Sequence, residues 1–274
     1  DRNAYIITEI AWTMFSSTDM IVLSMFVNTT ASSIYGVYNM IFSNINVLLN
    51  TVYMSVNYML GQTYYKDREK YIQLHDSFSS IFFGAMTAFM SVAYILIIPF
   101  IRLYTKGIAD ADYINPSLPL MFCLVQMISW SRYIPGNLTA VAGFVKQVSR
   151  ISLVEAIINI TFSVILVRKY GITGVLFATV IALPLKVVYC IYLSDKVILK
   201  RSVMKTILIL GANYTVFVIA IIFEKMVSIN IESWFGFLGM GLLLTSIFLI
   251  LGAVLNMLVN RECLKIAKTW LKKK

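Results

Sequence analysis

The sequence predicts an all-α integral membrane protein of about eight transmembrane helices, and three observations carry that prediction. First, 59% of the 274 residues are hydrophobic and only 13% are charged, with a mean hydropathy of +0.80. A soluble domain of this length needs a far more polar surface. Second, the apolar residues form long runs separated by short polar connections, at roughly 5–27, 33–61, 77–101, 116–141, 149–167, 172–193, 205–223 and 233–258. Third, Lys and Arg are unevenly divided between alternate connections. Sixteen, from Arg2 and Lys66 through to Lys274, fall on one side, against five on the other: Arg102, Lys106, Arg168, Lys169 and Lys225. Such a bias predicts an even number of spans with both termini in the cytoplasm. The net charge of +10 belongs to these loops and a basic tail, 259–274, rather than to one continuous face, so nucleic acid is not an expected partner. The chain opens on Asp1-Arg2-Asn3 with no initiating Met and no signal peptide, and it reads as a piece of a longer protein.

The first span holds one carboxylate, Asp19, within an otherwise uncharged run from Ile10 to Val27. An acid there is costly, so it should face protein or a watery cavity, on a substrate or ion pathway. The second span carries Asn39, Asn44, Asn46, Asn50 and Asn57. Four of these, Asn39, Asn46, Asn50 and Asn57, advance by steps of 7, 4 and 7 and so keep to one helical stripe. A polar stripe on a spanning helix lines either a cavity or a helix–helix contact. A charged connection, Gln62 to Asp76, follows, with His75 expected as a solvated loop residue.

The fourth span sets Arg132 beside Pro135-Gly136-Asn137. A helix loosened there frees backbone carbonyls, which is tolerated only against protein or a cavity. Arg132 is therefore either an anion site or the structural partner of an acid. In the fifth span Glu155 and Asn159 are four residues apart and share a face, with Arg150 where the helix leaves the cytoplasmic surface. Lys186, in the sixth span, is expected to reach outward to the interface.

Cys123, Cys190 and Cys263 have neither disulfide nor metal-ligand spacing. No Gly-rich phosphate loop and no Ser/His/Asp or Cys/His arrangement occurs, so neither an enzyme nor a cofactor is expected. Tyrosines and tryptophans near span ends, such as Tyr104, Tyr170 and Trp234, fit an interfacial belt. Four glycosylation sequons lie within spans or a tight turn and are discounted.

Three stretches resemble polysaccharide flippases of the multidrug/oligosaccharidyl-lipid/polysaccharide exporter superfamily (Wzx-type). They are Ser17-Thr18-Asp19-Met20-Ile21-Val22-Leu23-Ser24 continuing to Ile34-Tyr35-Gly36-Val37-Tyr38-Asn39; Leu103-Tyr104-Thr105-Lys106-Gly107 with Asp112-Tyr113-Ile114 and Pro116; and Ala142-Gly143 through Arg150, Glu155 and Asn159 to Tyr170-Gly171-Ile172-Thr173-Gly174-Val175. The resemblance covers about residues 5–195, and beyond that only the hydropathy agrees. It implies a six-helix C-terminal transporter lobe over 1–195, an additional helix pair over 196–258, and a partner N-terminal lobe that this chain lacks. It further implies translocation of undecaprenyl-diphosphate-linked oligosaccharide across the bacterial cytoplasmic membrane by alternating access. Polysaccharide polymerase and glycosyltransferases would be partners beside the membrane lipids. Arg132 or Arg150 would attract the diphosphate, the asparagines would meet sugar hydroxyls, and Asp19 and Glu155 would bind a coupling proton or sodium ion or pair with the arginines. A drug or metabolite efflux antiporter of the same superfamily and a non-transporting scaffold of an envelope complex are the alternatives.

Overall fold

The computed structural model describes residues 2–108, 110–227 and 229–260. The predicted basic tail lies outside the described residues from 261 onward, as does Cys263. Within them the chain is an all-α membrane protein: α1 (Arg2–Phe26), α2 (Thr29–Lys66), α3 (Arg68–Tyr104), α4 (Leu118–Ser131), α5 (Tyr133–Val141), α6 (Val145–Ile191), a π-helical turn (Tyr192–Ile198), α7 (Met204–Met226) and α8 (Trp234–Val259). Five helical stretches are long and apolar enough to cross a membrane: Ile6–Phe26 of α1, α3, α6 with its π-turn, α7 and α8. The amide-rich α2 is long but too polar to join them. Large apolar side chains point outward, Phe235 at 90% exposure and Leu242 at 72% among them, as a hydrocarbon surrounding requires.

Two hairpins build the frame. Helices α2 and α3 turn at Asp67, whose extended backbone (φ −152°, ψ 103°) ends one helix and starts the next, while its side chain caps α3 at the Lys70 amide, 3.0 Å away. The expected charged connection from Gln62 to Asp76 is thus nearly all helix. His75 is correspondingly buried, not solvated, its ring tilted against Tyr71 at 5.7 Å. A charged run around one capping residue is enough to reverse the chain, and His75 falls on the inner face of the new helix.

The second hairpin lies inside α6. Gly171 (φ 54°, ψ −131°) breaks the helical run, and the two arms fold back on each other. Asn159 donates to Thr179 Oγ1 at 2.8 Å, although a straight helix would put residues twenty apart at ~30 Å. The arms correspond to the predicted spans 149–167 and 172–193. Gly174 closes the turn: a Cβ there would lie 2.5 Å from the Leu166 carbonyl oxygen.

Helix α1 packs along α6, and α7–α8 pack on the far side of α3. Small residues allow that second contact, since Gly84 and Gly252 face each other closely. Asn213 and Asn256 exchange two side-chain hydrogen bonds beside them, at 3.1 and 2.9 Å. Between α2, α3 and α4 the main core is aromatic. Phe122 stacks on Phe42 at 5.3 Å, and Trp130 meets Phe82 at 5.4 Å.

Candidate functional site

Arg132 is the single residue between α4 and α5. Its amide bonds back to Ser129 at 3.4 Å rather than continuing a regular turn, and Pro135 has no N–H to offer the Ser131 carbonyl. The break swings the guanidinium inward across to α6. There Nη1 donates to both oxygens of Glu155, at 2.8 and 3.1 Å. Arg132 is 6% exposed and Glu155 4%. Lys186 approaches the same carboxylate from the returning arm of α6, with Nζ 4.0 Å from Oε2. The expectation that Lys186 reaches outward is corrected: its side chain is only 13% exposed. Glu155 offers it a counter-charge, and a buried charge keeps to such a partner.

These two cations line a cavity of about 590 Å³ between α1, α2, α5 and α6. Its wall also carries Glu9 and the amides of Asn50, Asn57 and Asn137. The Asn137 Oδ1 is buried with no partner among the described residues. Low dielectric strengthens every charge in such a site, so an anion entering it meets Arg132 and Lys186 with Glu155 as the competing ligand.

Asp19 belongs to a separate buried chain of hydrogen bonds. Tyr35 donates its hydroxyl to Oδ2 at 3.0 Å. The Thr179 hydroxyl is shared between Asp19 Oδ1 at 3.4 Å and its own helix's Val175 carbonyl at 3.2 Å. Asn159 in turn donates to Thr179. Helix α2 and the returning arm of α6 therefore meet on one α1 carboxylate that is 6% exposed, and the first arm of α6 joins them through Thr179. Among the described residues no basic side chain pairs with it. Asn159 Oδ1 and Ser163 Oγ, buried on the same arm, also have no protein partner there.

The structure brings together only part of the predicted set. Arg150 is exposed and lines no cavity described here. The amide stripe divides: Asn50 and Asn57 line the large cavity, Asn46 and Asn50 a smaller neighbour, and half-buried Asn39 neither. Asn44 folds back onto its own helix at the Met40 carbonyl, 2.8 Å away. Sequence reasoning missed Tyr35, Thr179 and the inward turn of Lys186. One signal was available: Thr179, Lys186 and Cys190 advance by 7 and 4, matching the stripe of Glu155, Asn159 and Ser163 on the other arm.

A third polar cluster ties the final helix pair to the rest. Asp76 receives Arg201 at 2.8 Å and Lys205 at 2.6 Å. Arg201 also meets Asp195 at 2.7 Å, and Thr206 donates to the same carboxylate at 2.6 Å. Burial opposes the Arg201 charge, but the carboxylates of Asp76 and Asp195 outweigh it and raise its pKa. Asn260 closes the cluster on the Asp76 carbonyl and the Ser80 hydroxyl, both at 3.0 Å. These bonds run between α3, the segment that follows α6, and α7, with Asn260 at the end of α8, and so pin α7 and α8 to α3. In comparisons with known proteins, no family model, no curated protein and no solved structure matches this chain.

Proposed function

We propose that this chain forms the C-terminal lobe of a flippase for lipid-linked oligosaccharide, with its additional helix pair, in the bacterial cytoplasmic membrane. The observation that carries the reading is the 590 Å³ cavity, where Arg132 and Lys186 stand among three amides beside the membrane-spanning helices α1 and α6. A diphosphate attached to a glycan is a ligand that wants both, and neither part crosses a bilayer unshielded. The exposed polar face of α2, with Ser43, Asn50, Thr51 and Ser55, is unsuited to lipid. In this reading it faces a second lobe across a watery passage that opens to each side in turn.

Asp19 is the acid that takes the coupling proton or sodium ion, since Glu155 is already engaged by Arg132. It lies on α1 and its partners Tyr35 and Thr179 lie on α2 and the returning arm of α6, so ion binding there bears on how those helices pack. The orientation in this reading rests on the charge bias of the sequence, which assigns to the cytoplasm the end of the bundle where Arg68, Arg201 and Lys205 gather.

The test is complementation by the intact gene in a strain lacking its polysaccharide flippase, with lipid-linked oligosaccharide scored on each leaflet. Restored outer-leaflet glycan is the expected result. Inner-leaflet accumulation with several donor glycans, despite full membrane expression, contradicts the reading.

A further inference from the structure

Beside the charged cavity, Asn46, Asn50, Gln126, Ser129, Trp130 and Tyr133 enclose a second one of about 360 Å³. No charged side chain lines it. Asn50 and Tyr133 are common to both, so the two are neighbours. The wall of the smaller cavity is aromatic, with Tyr133 tilted against Trp130 at 4.0 Å between ring centres.

Its polar groups are held in a fixed order. The Trp130 indole N–H can only donate, and it lies 2.8 Å from an Asn46 side-chain atom that must therefore be the amide oxygen. That orientation turns the Asn46 amide nitrogen to Gln126, 2.9 Å away, which must present its own oxygen. The Gln126 Nε2 is left over as a donor, and among the described residues it has no protein partner; the same holds for the Asn50 amide and the Ser129 hydroxyl. A neutral cavity with an aromatic wall, one oriented donor and two free polar groups suits a sugar ring, which offers hydroxyls at its edge and C–H bonds on its face.

We infer that this second cavity is the subsite for the sugar next to the diphosphate, with Gln126 as its specificity-determining residue. The inference rests on the flippase reading and extends it: the charged cavity takes the diphosphate, and the neutral one reads the first sugar.

The test uses the whole transporter, both lobes, in lipid vesicles and two probes, a short-chain isoprenyl diphosphate and the same compound carrying one N-acetylhexosamine. The sugar should tighten binding about tenfold, the gain expected of two or three neutral hydrogen bonds with ring contact. Gln126→Leu, and more fully Gln126→Leu with Ser129→Ala, should erase that gain and leave the bare diphosphate's affinity unchanged, which also shows that the variants are folded. A gain that survives in the double variant, a sugar that adds nothing in the wild type, or equal loss for both probes overturns the subsite alone. Failure of the wild type to bind the bare diphosphate overturns the flippase reading, and the subsite falls with it.

Discussion

Arg132 and Glu155 are joined through a single nitrogen: Nη1 lies 2.8 Å from one carboxylate oxygen and 3.1 Å from the other. The pair links the break between α4 and α5 to α6, and Lys186 stands on the carboxylate's far side at 4.0 Å. One acid thus serves two buried cations, and the two kinds of deletion are not equivalent.

Removing the acid leaves both cations facing each other without the carboxylate they share. Removing Arg132 leaves Lys186 still able to neutralise Glu155. Glu155→Gln should therefore cost about 3–5 kcal/mol of stability, and Arg132→Met distinctly less. Denaturant unfolding of the two variants in lipid or detergent gives the order, and equal or reversed losses would contradict this account of the triad.

Asp19→Asn keeps the acceptor that the Tyr35 hydroxyl needs but removes the negative charge. Stability should stay within about 1 kcal/mol of wild type, since weakening the hydroxyl–carboxylate bonds is offset by removing a buried charge. Transport driven by an imposed proton or sodium gradient should be lost. Gradient-driven flipping that persists in this variant removes Asp19 from the coupling role.

The hairpin within α6 depends on glycine at two places. Gly171→Ala forces a side chain into a left-handed backbone and should cost about 1–3 kcal/mol. Gly174→Ala should cost more, because its Cβ meets backbone atoms of Leu166 at 2.5 and 2.8 Å that cannot move aside. Gly36→Ala, in open space on α2, should instead be neutral or gain up to ~1 kcal/mol from helix propensity. Thermal unfolding should put Gly174→Ala lowest, Gly171→Ala next, and Gly36→Ala at or above wild type.

At the α3–α7 junction, Arg201 holds two carboxylates with a side chain 18% exposed, whereas Lys205 holds one and is 38% exposed. Arg201→Met should loosen α7 and α8 by about 3–5 kcal/mol, and Lys205→Met by no more than about 1 kcal/mol. Hydrogen exchange in α7 separates the two, and equal deprotection would show that the cluster does not pin the pair.

Much of the helical frame was legible because uncharged length is a strong signal: Ser233 caps α8 one residue from its predicted start, and the turn at Gly171 was expected from Arg168 to Gly171. The hairpin at Asp67 was misread because charge density was taken for a loop, when a single extended residue with a capping side chain sufficed. The pairing of Arg132 with Glu155 was one of two readings of that arginine, and composition had no means to choose, because the choice depends on the break at residue 132 turning the side chain toward α6. The partners of Asp19 were hidden for a different reason. Tyr35 and Thr179 are ordinary residues in a membrane helix, and only the packing of α1 against both arms of α6 makes them ligands of one carboxylate.

The most direct measurement is leaflet accessibility of a lipid-linked oligosaccharide in vesicles that contain the whole transporter, under an imposed proton or sodium gradient. The account predicts that the gradient speeds movement of the glycan between leaflets and that Arg132→Met abolishes the movement. Glycan movement no faster than in protein-free vesicles, with the protein folded and the gradient intact, would contradict it.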